Sequence, residues 1–519
     1  MNHPSAQPGS GDSVDLYAVI EMGSSSVRMA VAQTGPQGRF EMLDSLQQTV
    51  TLGKDAFSGG MIPQETIERS VGALRDFQAV LREYGVGSPR IRTVATSALR
   101  EASNREAVLD RLYIATGLEV EVMEEAEVNR FTYQAVQPAL NAAKGIEGKP
   151  LLAMEVGGGS TEVLLLRDGE VLSSGTLRLG ALRLRNELNA SRDSSGQSMD
   201  AMRACIRNDI EPIVHLIRRD PDVQLLAIGG DIRHAAVCLH ARRREKRLAS
   251  LSLKSLSALT ARILKLSVEE TVRAYRLTFP EAETFGPALL AYVETARLMR
   301  LKTLLACNAN MRAGILMDMA GHDTWVEALK GQVVRAAINI GEKYAYDAVH
   351  AERTADFCRQ LFAALQDEHR LDARCELLLT VAALLHDIGS YVSNRSHHKH
   401  SMYLILNSEI FGLSARELLM VALIARYHRR ALPKPGHEQY SALDRPGRVL
   451  VAKLAALLRV ADALACRGGK TRRTLQVVRR ENRVCVRKAG DLALEHAALR
   501  KKGDMFRVVY GKELVLERG

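Results

Sequence analysis

The stretch Val19-Ile20-Glu21-Met22-Gly23-Ser24-Ser25-Ser26 recurs in kind as Met154-Glu155-Val156-Gly157-Gly158-Gly159-Ser160-Thr161-Glu162. Each copy follows an apolar run that reads as a buried strand, Tyr17 to Ile20 and Leu151 to Met154. Each leads into another apolar run, Val27 to Ala32 and Val163 to Leu166. Strand, carboxylate, small-residue turn, strand is the order of a β-hairpin whose tip holds phosphate. Glycine lets backbone N–H groups approach an anion, and Ser and Thr add hydroxyl donors. A carboxylate repels phosphate, so its natural partner there is a cation such as Mg²⁺. With the copies 134 positions apart, the sequence predicts two related lobes facing one anionic substrate.

The 519 residues allow two to four domains with sizeable cores. An apolar content of 46% with 25% charged residues describes a soluble globular chain. No apolar run approaches the roughly 20 residues of a membrane span, and the polar N-terminal stretch has no apolar centre of a signal peptide. Seven cysteines, at 205, 238, 307, 358, 375, 466 and 485, are dispersed without CxxC pairs. That usage fits reduced thiols in a cytoplasm better than disulfides or a zinc cluster. The net charge of +11 is uneven: the last 54 residues hold 15 Lys/Arg against 6 Asp/Glu, and Arg242 to Arg247 form a second basic cluster. Such asymmetry favours a polyanionic partner, the alternative being a solvated basic face. Few aromatics interrupt the basic tail, which argues against nucleic acid held by base stacking.

The pattern divides into a flexible tail over 1–14, lobe I over 15–144 and lobe II over 145–320, then a helical domain over 321–466 and a small basic α/β unit over 467–519. Lobe I reads as a helix from Pro63 to Tyr84, a strand from Ile91 to Thr96, a helix from Asn104 to Thr116, a strand from Glu119 to Met123 and a helix from Glu125 to Val136. Gly145 to Pro150 reads as a linker, and Gly321-His322 as a further boundary. Lobe II carries the 151–178 hairpin, a helix near Met199 to Arg218 and a strand from Gln224 to Ile228. In the tail, Leu475 to Val478, Val484 to Val486 and Phe506 to Tyr510 have strand-like patterns.

Arg100 falls where a strand gives way to a helix, a usual ligand-facing place in α/β sheets, and its guanidinium suits a bidentate clamp on phosphate. Glu124-Glu125-Ala126-Glu127 opens the next helix, where a carboxylate can orient or deprotonate water, or simply partner the helix dipole. Leu179-Gly180-Ala181-Leu182-Arg183 and Ile228-Gly229-Gly230-Asp231 add two glycine turns after strands. Together with the hairpins they suggest a nucleotide- or phosphate-binding cleft.

The series VIEMGSSS, VATSALR, MEVGGGSTE, LRLGALRL, AIGGDIR and MRAGILMD resembles the exopolyphosphatase and guanosine pentaphosphate phosphohydrolase family, of the actin, sugar kinase and heat-shock chaperone superfamily. The resemblance implies an α/β fold of two actin-like (ribonuclease H-like) lobes with a phosphate cleft, followed by an all-α HD-like domain and a small C-terminal α/β unit. It implies that Gly23, Ser24, Ser25 and Ser26, with Gly157, Gly158, Gly159, Ser160 and Thr161, hold terminal phosphates, and that Arg100 neutralises one of them. Glu127 is then the catalytic residue that activates water, and Glu155, Glu162 and Glu21 position Mg²⁺ directly or through water. The family carries Asp at Glu21 and Glu155, Asn at Ser25, a second Glu at Val128 and Thr at Asp231. One additional methylene moves a carboxylate by roughly 1 Å, a shift that can cost about 10²-fold in rate.

His350, His386-Asp387 and Asp462 follow the order of the HD phosphohydrolase signature, each on an expected helix, and mark a possible second metal site. His397, His398, His400 and His428 are additional candidate ligands, and eight of the 14 histidines lie between 350 and 437. The alternative is a helical module for dimerisation, its histidines satisfied in helix contacts. The leading expectation is a cytoplasmic, homodimeric, Mg²⁺-dependent exopolyphosphatase acting on inorganic polyphosphate. Its rivals are a guanosine pentaphosphate 5′-phosphohydrolase, a weakly active binder of polyphosphate or guanosine tetraphosphate, and hydrolysis at the second site.

Overall fold

The structure, a computed structural model, describes residues 15–35, 40–142, 148–190, 197–217, 222–240, 242–245, 248–320, 323–429, 431–465 and 474–519. The expected tail over 1–14, residues 145–147 of the expected linker, the Gly321-His322 boundary and part of the Arg242–Arg247 cluster lie outside the described residues. The chain divides into two compact units, Met1–Thr324 and Trp325–Gly519.

The first unit is built on a duplicated sheet. Strands β1 (Leu16–Met22), β2 (Ser26–Thr34), β3 (Phe40–Thr49), β4 (Ile91–Ala95) and β5 (Val120–Val122) lie in the order β3-β2-β1-β4-β5. Strands β6 (Leu151–Val156), β7 (Thr161–Arg167), β8 (Glu170–Leu177), β9 (Gln224–Ile228), β10 (Arg242–Glu245), β11 (Leu248–Ser252) and β12 (Thr303–Cys307) lie in the order β10-β11-β12-β9-β6-β7-β8. Taken from its other edge, β8-β7-β6-β9-β12 repeats the first sheet strand for strand. Both begin with an antiparallel meander and finish with parallel neighbours. These are the two actin-like lobes expected from the duplicated motif. The central strand β6 is nearly all buried and β1 is buried over Ala18–Ile20 and at Met22, as strands covered on both faces must be, while edge strand β3 alternates toward solvent.

Helices cover the sheets where their apolar spacing directs. Gln64–Glu83 buries Ile67, Val71, Leu74, Phe77 and Leu81, one stripe at helical period, in the core of lobe I. Phe279–Leu298 is apolar nearly all round and runs through the core of lobe II. The helix Met311–Met319 follows the last strand of lobe II but packs Ile315 and Leu316 against Val19, Ala30 and Phe131 of lobe I. Gly314 allows the approach, because a Cβ there would sit 2.0 Å from the Phe131 carbonyl oxygen.

The second unit is helical, with Ala348–Ala364, Ala373–Leu385, His397–Leu406, Ala415–Arg426 and Arg445–Leu464 among its helices. Ala373–Leu385 is buried all round from Cys375 onward and forms its centre. Strands β13 (Gln476–Arg479), β14 (Arg483–Lys488) and β15 (Glu513–Arg518) make a small sheet in the same unit. Buried Lys488 donates to the Leu464 carbonyl at 2.6 Å and pairs with buried Glu495 at 2.6 Å. The strand expected over Phe506 to Tyr510 is instead part of a helix, Asp504–Tyr510. Its β-like pattern gives way to tertiary packing: Phe506 and Tyr510 stack at 4.7 Å across one helical turn. Asp504 also pairs with buried Arg459 at 2.8 Å.

Candidate functional site

The two small-residue turns fold alike. In the first, the Gly23 N–H donates to the Ser26 carbonyl at 3.0 Å; in the second, the Gly157 N–H donates to the Ser160 carbonyl at 2.8 Å. The tips meet. A Cβ on Gly158 would lie 2.7 Å from the Ser24 Cβ, so only a hydrogen side chain lets the loops face each other. Behind the second loop, the helix starting at Ala181 donates its first N–H groups to the Gly157 and Gly158 carbonyls, at 2.9 and 3.0 Å. Gly180 makes that seat possible, as a Cβ there would fall 2.3 Å from the Gly158 oxygen.

Between the lobes opens a cleft of ≈ 560 Å³. Gly23, Ser24, Ser25, Ser26, Arg100, Gly157, Gly158 and Ser160 line it, together with Glu21, Glu155 and Glu162. Two expected phosphate ligands are placed differently. Thr161 is fully buried with its hydroxyl donated to the Leu179 carbonyl, and Gly159 packs toward Phe57 and Ser97 outside the lining. Arg100 holds its guanidinium at the cleft by donating to the Met123 carbonyl at 2.8 Å, with Glu125 at 3.5 Å.

The carboxylates are crowded. Glu155 and Glu162 face each other across the β6–β7 hairpin, and Glu21 stands opposite Arg28 in the β1–β2 register. Glu21 is ion-paired with buried Arg312, and Glu162 accepts from Ser160 at 2.6 Å. Glu155 has the weakest hold, the Thr132 hydroxyl at 3.4 Å. Burial, then the neighbouring Glu162 and Glu21, push its carboxyl up to about 7. Burial also raises Glu162, although Ser160 and Arg100 oppose the shift. Oxygen-only ligands that repel one another suit a hard divalent cation, so the donor set fits Mg²⁺.

Glu127, the expected catalytic carboxylate, does not line the cleft among the described residues. It accepts the Glu124 N–H at 3.1 Å, capping its own helix, Glu125–Ala142, and lies on the side of Arg92 and Arg130. Burial raises it above its ordinary value. The helix presents Val128 to the cleft instead.

Sequence reasoning missed two cleft cations and the partner of a cleft carboxylate. Arg28 sits within an apolar strand, Arg233 donates to the Ala309 carbonyl at 3.0 Å, and Arg312, outside the lining, reaches Glu21 from 291 positions away. Only the AIGGDIR and MRAGILMD motifs could have pointed to the last two. Asp231 also lines the cleft, its carboxyl pushed up to about 6 by burial.

In the second unit His350, His386, Asp387 and Asp462 come together as the sequence order suggests. His386 Nε2 lies 3.3 Å from Asp387 Oδ2, and His350 Nε2 lies 3.4 Å from Asp462 Oδ1. His397 and His428 join them, with Nε2 atoms 3.1 and 3.5 Å from Asp387 Oδ1. His398 and His400 belong to neither group of converging ligand atoms. Burial opposes charge on His386, yet Asp387 and Asp462 raise it to about 9. Gly389 seats the turn: its N–H donates to the Ser401 hydroxyl at 2.9 Å, and a Cβ would fall 2.1 Å from the His397 carbonyl oxygen.

A model of the Ppx/GppA phosphatase family matches residues 30–323, and a model of Ppx/GppA phosphatase domain III matches residues 334–501. Among solved structures, an exopolyphosphatase from Cytophaga hutchinsonii is 21% identical over 59% of this chain and 98% of its own, with a TM-score of 0.53. An exopolyphosphatase-like protein is 19% identical over 59% of this chain and 99% of its own, with a TM-score of 0.51. The Aquifex aeolicus Ppx/GppA family member is 22% identical over 59% of this chain and 97% of its own, with a TM-score of 0.48. At these identities the likeness is one of fold. Among the described residues, no helix is long and apolar enough to cross a membrane.

Proposed function

The chain belongs to the Ppx/GppA phosphatase family, and from that premise we propose that its first unit hydrolyses the terminal phosphoanhydride bond of inorganic polyphosphate with Mg²⁺. The observation that carries the reading is the facing pair of Gly/Ser turns, with Glu155 between them pushed up to about 7. Polyphosphate is preferred to guanosine pentaphosphate because the uneven basic charge of the chain, 15 Lys/Arg against 6 Asp/Glu in the last 54 residues, favours a long polyanion. The reading includes a cytoplasmic homodimer, as the dispersed cysteines and apolar helix faces suggest.

In this mechanism the terminal phosphate lies in the cleft that the two turns border, taking donors from Ser24, Ser25 and Ser160, while Arg100 and Arg233 balance its charge. Glu162 and Glu21 would hold Mg²⁺ directly or through water, and the ion would supply neutralisation of the phosphate oxygens. Glu155 takes the proton of the attacking water, its raised value matching a general base near neutrality. Glu127, capping its helix on the Arg130 side, helps fix the helix that carries Val128 and does not touch substrate. Positioning and charge balance supply most of phosphoryl transfer, so these parts suffice.

One observation favours a second reading, a binder of polyphosphate or guanosine tetraphosphate with little turnover. Val128 fills the cleft position where the resemblance implies a second Glu. Orthophosphate release from long-chain polyphosphate and from guanosine pentaphosphate, each with Mg²⁺, separates the readings. Faster release from polyphosphate supports the proposal. Tight binding of both without release sinks it in favour of the binder.

A further inference from the structure

The histidines of the second unit are presented as ligands. The Nδ1 of His386 faces the Ala383 carbonyl at 2.7 Å, that of His428 the Ala425 carbonyl at 2.6 Å, and that of His397 the Asn394 carbonyl at 3.3 Å. A carbonyl oxygen only accepts, so each Nδ1 carries a proton and each ring turns its Nε2 inward, where a bound cation would replace any Nε2 proton. Anchoring one ring nitrogen on a carbonyl is how proteins orient imidazoles toward a metal. His386 is fully buried, and its Nε2 has no hydrogen-bond partner.

Asp387 stands between two such sets. Its Oδ2 lies 3.3 Å from His386 Nε2 and 3.9 Å from His350 Nε2. Its Oδ1 lies 3.1 Å from His397 Nε2 and 3.5 Å from His428 Nε2, and those two nitrogens are 3.2 Å apart. The second set is a triangle of three potential ligand atoms, of a size that a cation can fill. Its circumradius is about 1.9 Å, so an ion at the usual ~2.1 Å bond lengths would rest about 1 Å off the plane. Asp462 Oδ1, at 3.4 Å from His350 Nε2 and 3.9 Å from His386 Nε2, adds a fourth ligand to the first set, while Lys502 pairs with its other oxygen.

We propose that the second unit holds two divalent first-row transition-metal ions bridged by the Asp387 carboxylate. One sits among His350, His386 and Asp462, the other between His397 and His428. Two imidazoles and a carboxylate on one face of an ion suit Mn²⁺, Fe²⁺ or Co²⁺ rather than Mg²⁺, which prefers oxygen ligands and keeps its waters. The Asp387 side chain is 39% exposed, so water reaches the centre and can fill the open positions. This inference is independent of the phosphatase reading of the first unit.

The test uses the full-length chain, stripped with chelator, loaded with Mn²⁺ or Co²⁺ in excess Mg²⁺, desalted and counted by mass spectrometry of the metal. Two ions per chain are expected. Asp387→Ala should retain none, and His428→Ala or His397→Ala one. The visible bands of bound Co²⁺ should vanish in Asp387→Ala and weaken in the histidine variants. Circular dichroism verifies folding, and His397→Ala, at a helix start, serves if the buried His428 variant fails to fold. Glu155→Gln should keep both ions. One ion or none in the parent chain, or an unchanged count in Asp387→Ala, overturns the proposal.

Discussion

Glu155→Gln should make the first unit more stable and nearly inactive. The folded chain holds the Glu155 carboxyl at about 7 against an ordinary value of 4.5, through burial and then the charges of Glu162 and Glu21. At 1.36 kcal/mol per pKa unit, keeping that carboxylate ionised costs the folded state about 3 kcal/mol. The sign follows from the raised value. Below pH 4.5 the group is protonated in both states and the penalty is absent; it grows as pH rises and is complete above about 7. Glutamine is neutral throughout and keeps an acceptor for Thr132. The variant should therefore match the parent at pH 4.5 and exceed it by about 3 kcal/mol at pH 8. Scanning calorimetry with chelator present, resolving the transitions of the two units, measures the difference. Turnover on polyphosphate should fall by about 10²–10⁴-fold, the usual loss of a general base. A stability gain that ignores pH, or turnover within tenfold of the parent, would refute the reasoning.

Glu127→Gln tests the residue expected to be catalytic from sequence: because it caps its helix outside the cleft lining, turnover should drop less than about tenfold, and stability at neutral pH should hold or rise, since burial disfavours its charge and the glutamine oxygen still accepts the Glu124 N–H, read from steady-state kinetics and urea unfolding. Gly180→Ala drives a methyl to 2.3 Å from a backbone oxygen, so it should destabilise by about 3 kcal/mol or more and abolish phosphate binding, as calorimetry would show. Asp231→Asn removes a cleft carboxyl held at about 6 by burial. Its stability gain should be absent below pH 3.8 and complete above about pH 6, at about 3 kcal/mol. The KM for polyphosphate should fall most above pH 6, and a KM that does not move removes Asp231 from the phosphate path.

The duplicated lobes were legible because each hairpin is local: apolar runs flank a Gly/Ser turn, and the turn chemistry sits within eight residues. Where a cleft needs residues distant in the chain, the sequence is silent. The Arg312–Glu21 pair spans 291 positions and depends on a helix crossing back to lobe I. Glu127 and Val128 differ by one residue, about 100° around a helix, and no pattern in Glu124 to Glu127 says which face meets the cleft. Phe506 to Tyr510 has strand-like alternation, but stacking of its two rings and the pairing of Asp504 with Arg459 settle it as helix. In the second unit the order of His350, His386-Asp387 and Asp462 was readable. The convergence of His397 and His428 on the other oxygen of Asp387 depends on Gly389 letting the turn rest against its neighbouring helix.

The central claim is water attack on a terminal phosphorus held in the cleft that the two turns border. Polyphosphate hydrolysis in ¹⁸O-labelled water, followed by mass spectrometry of both products, tests it most directly. The account predicts one ¹⁸O atom in each released orthophosphate and none in the shortened chain. Label retained in the chain, or no orthophosphate released, would contradict it.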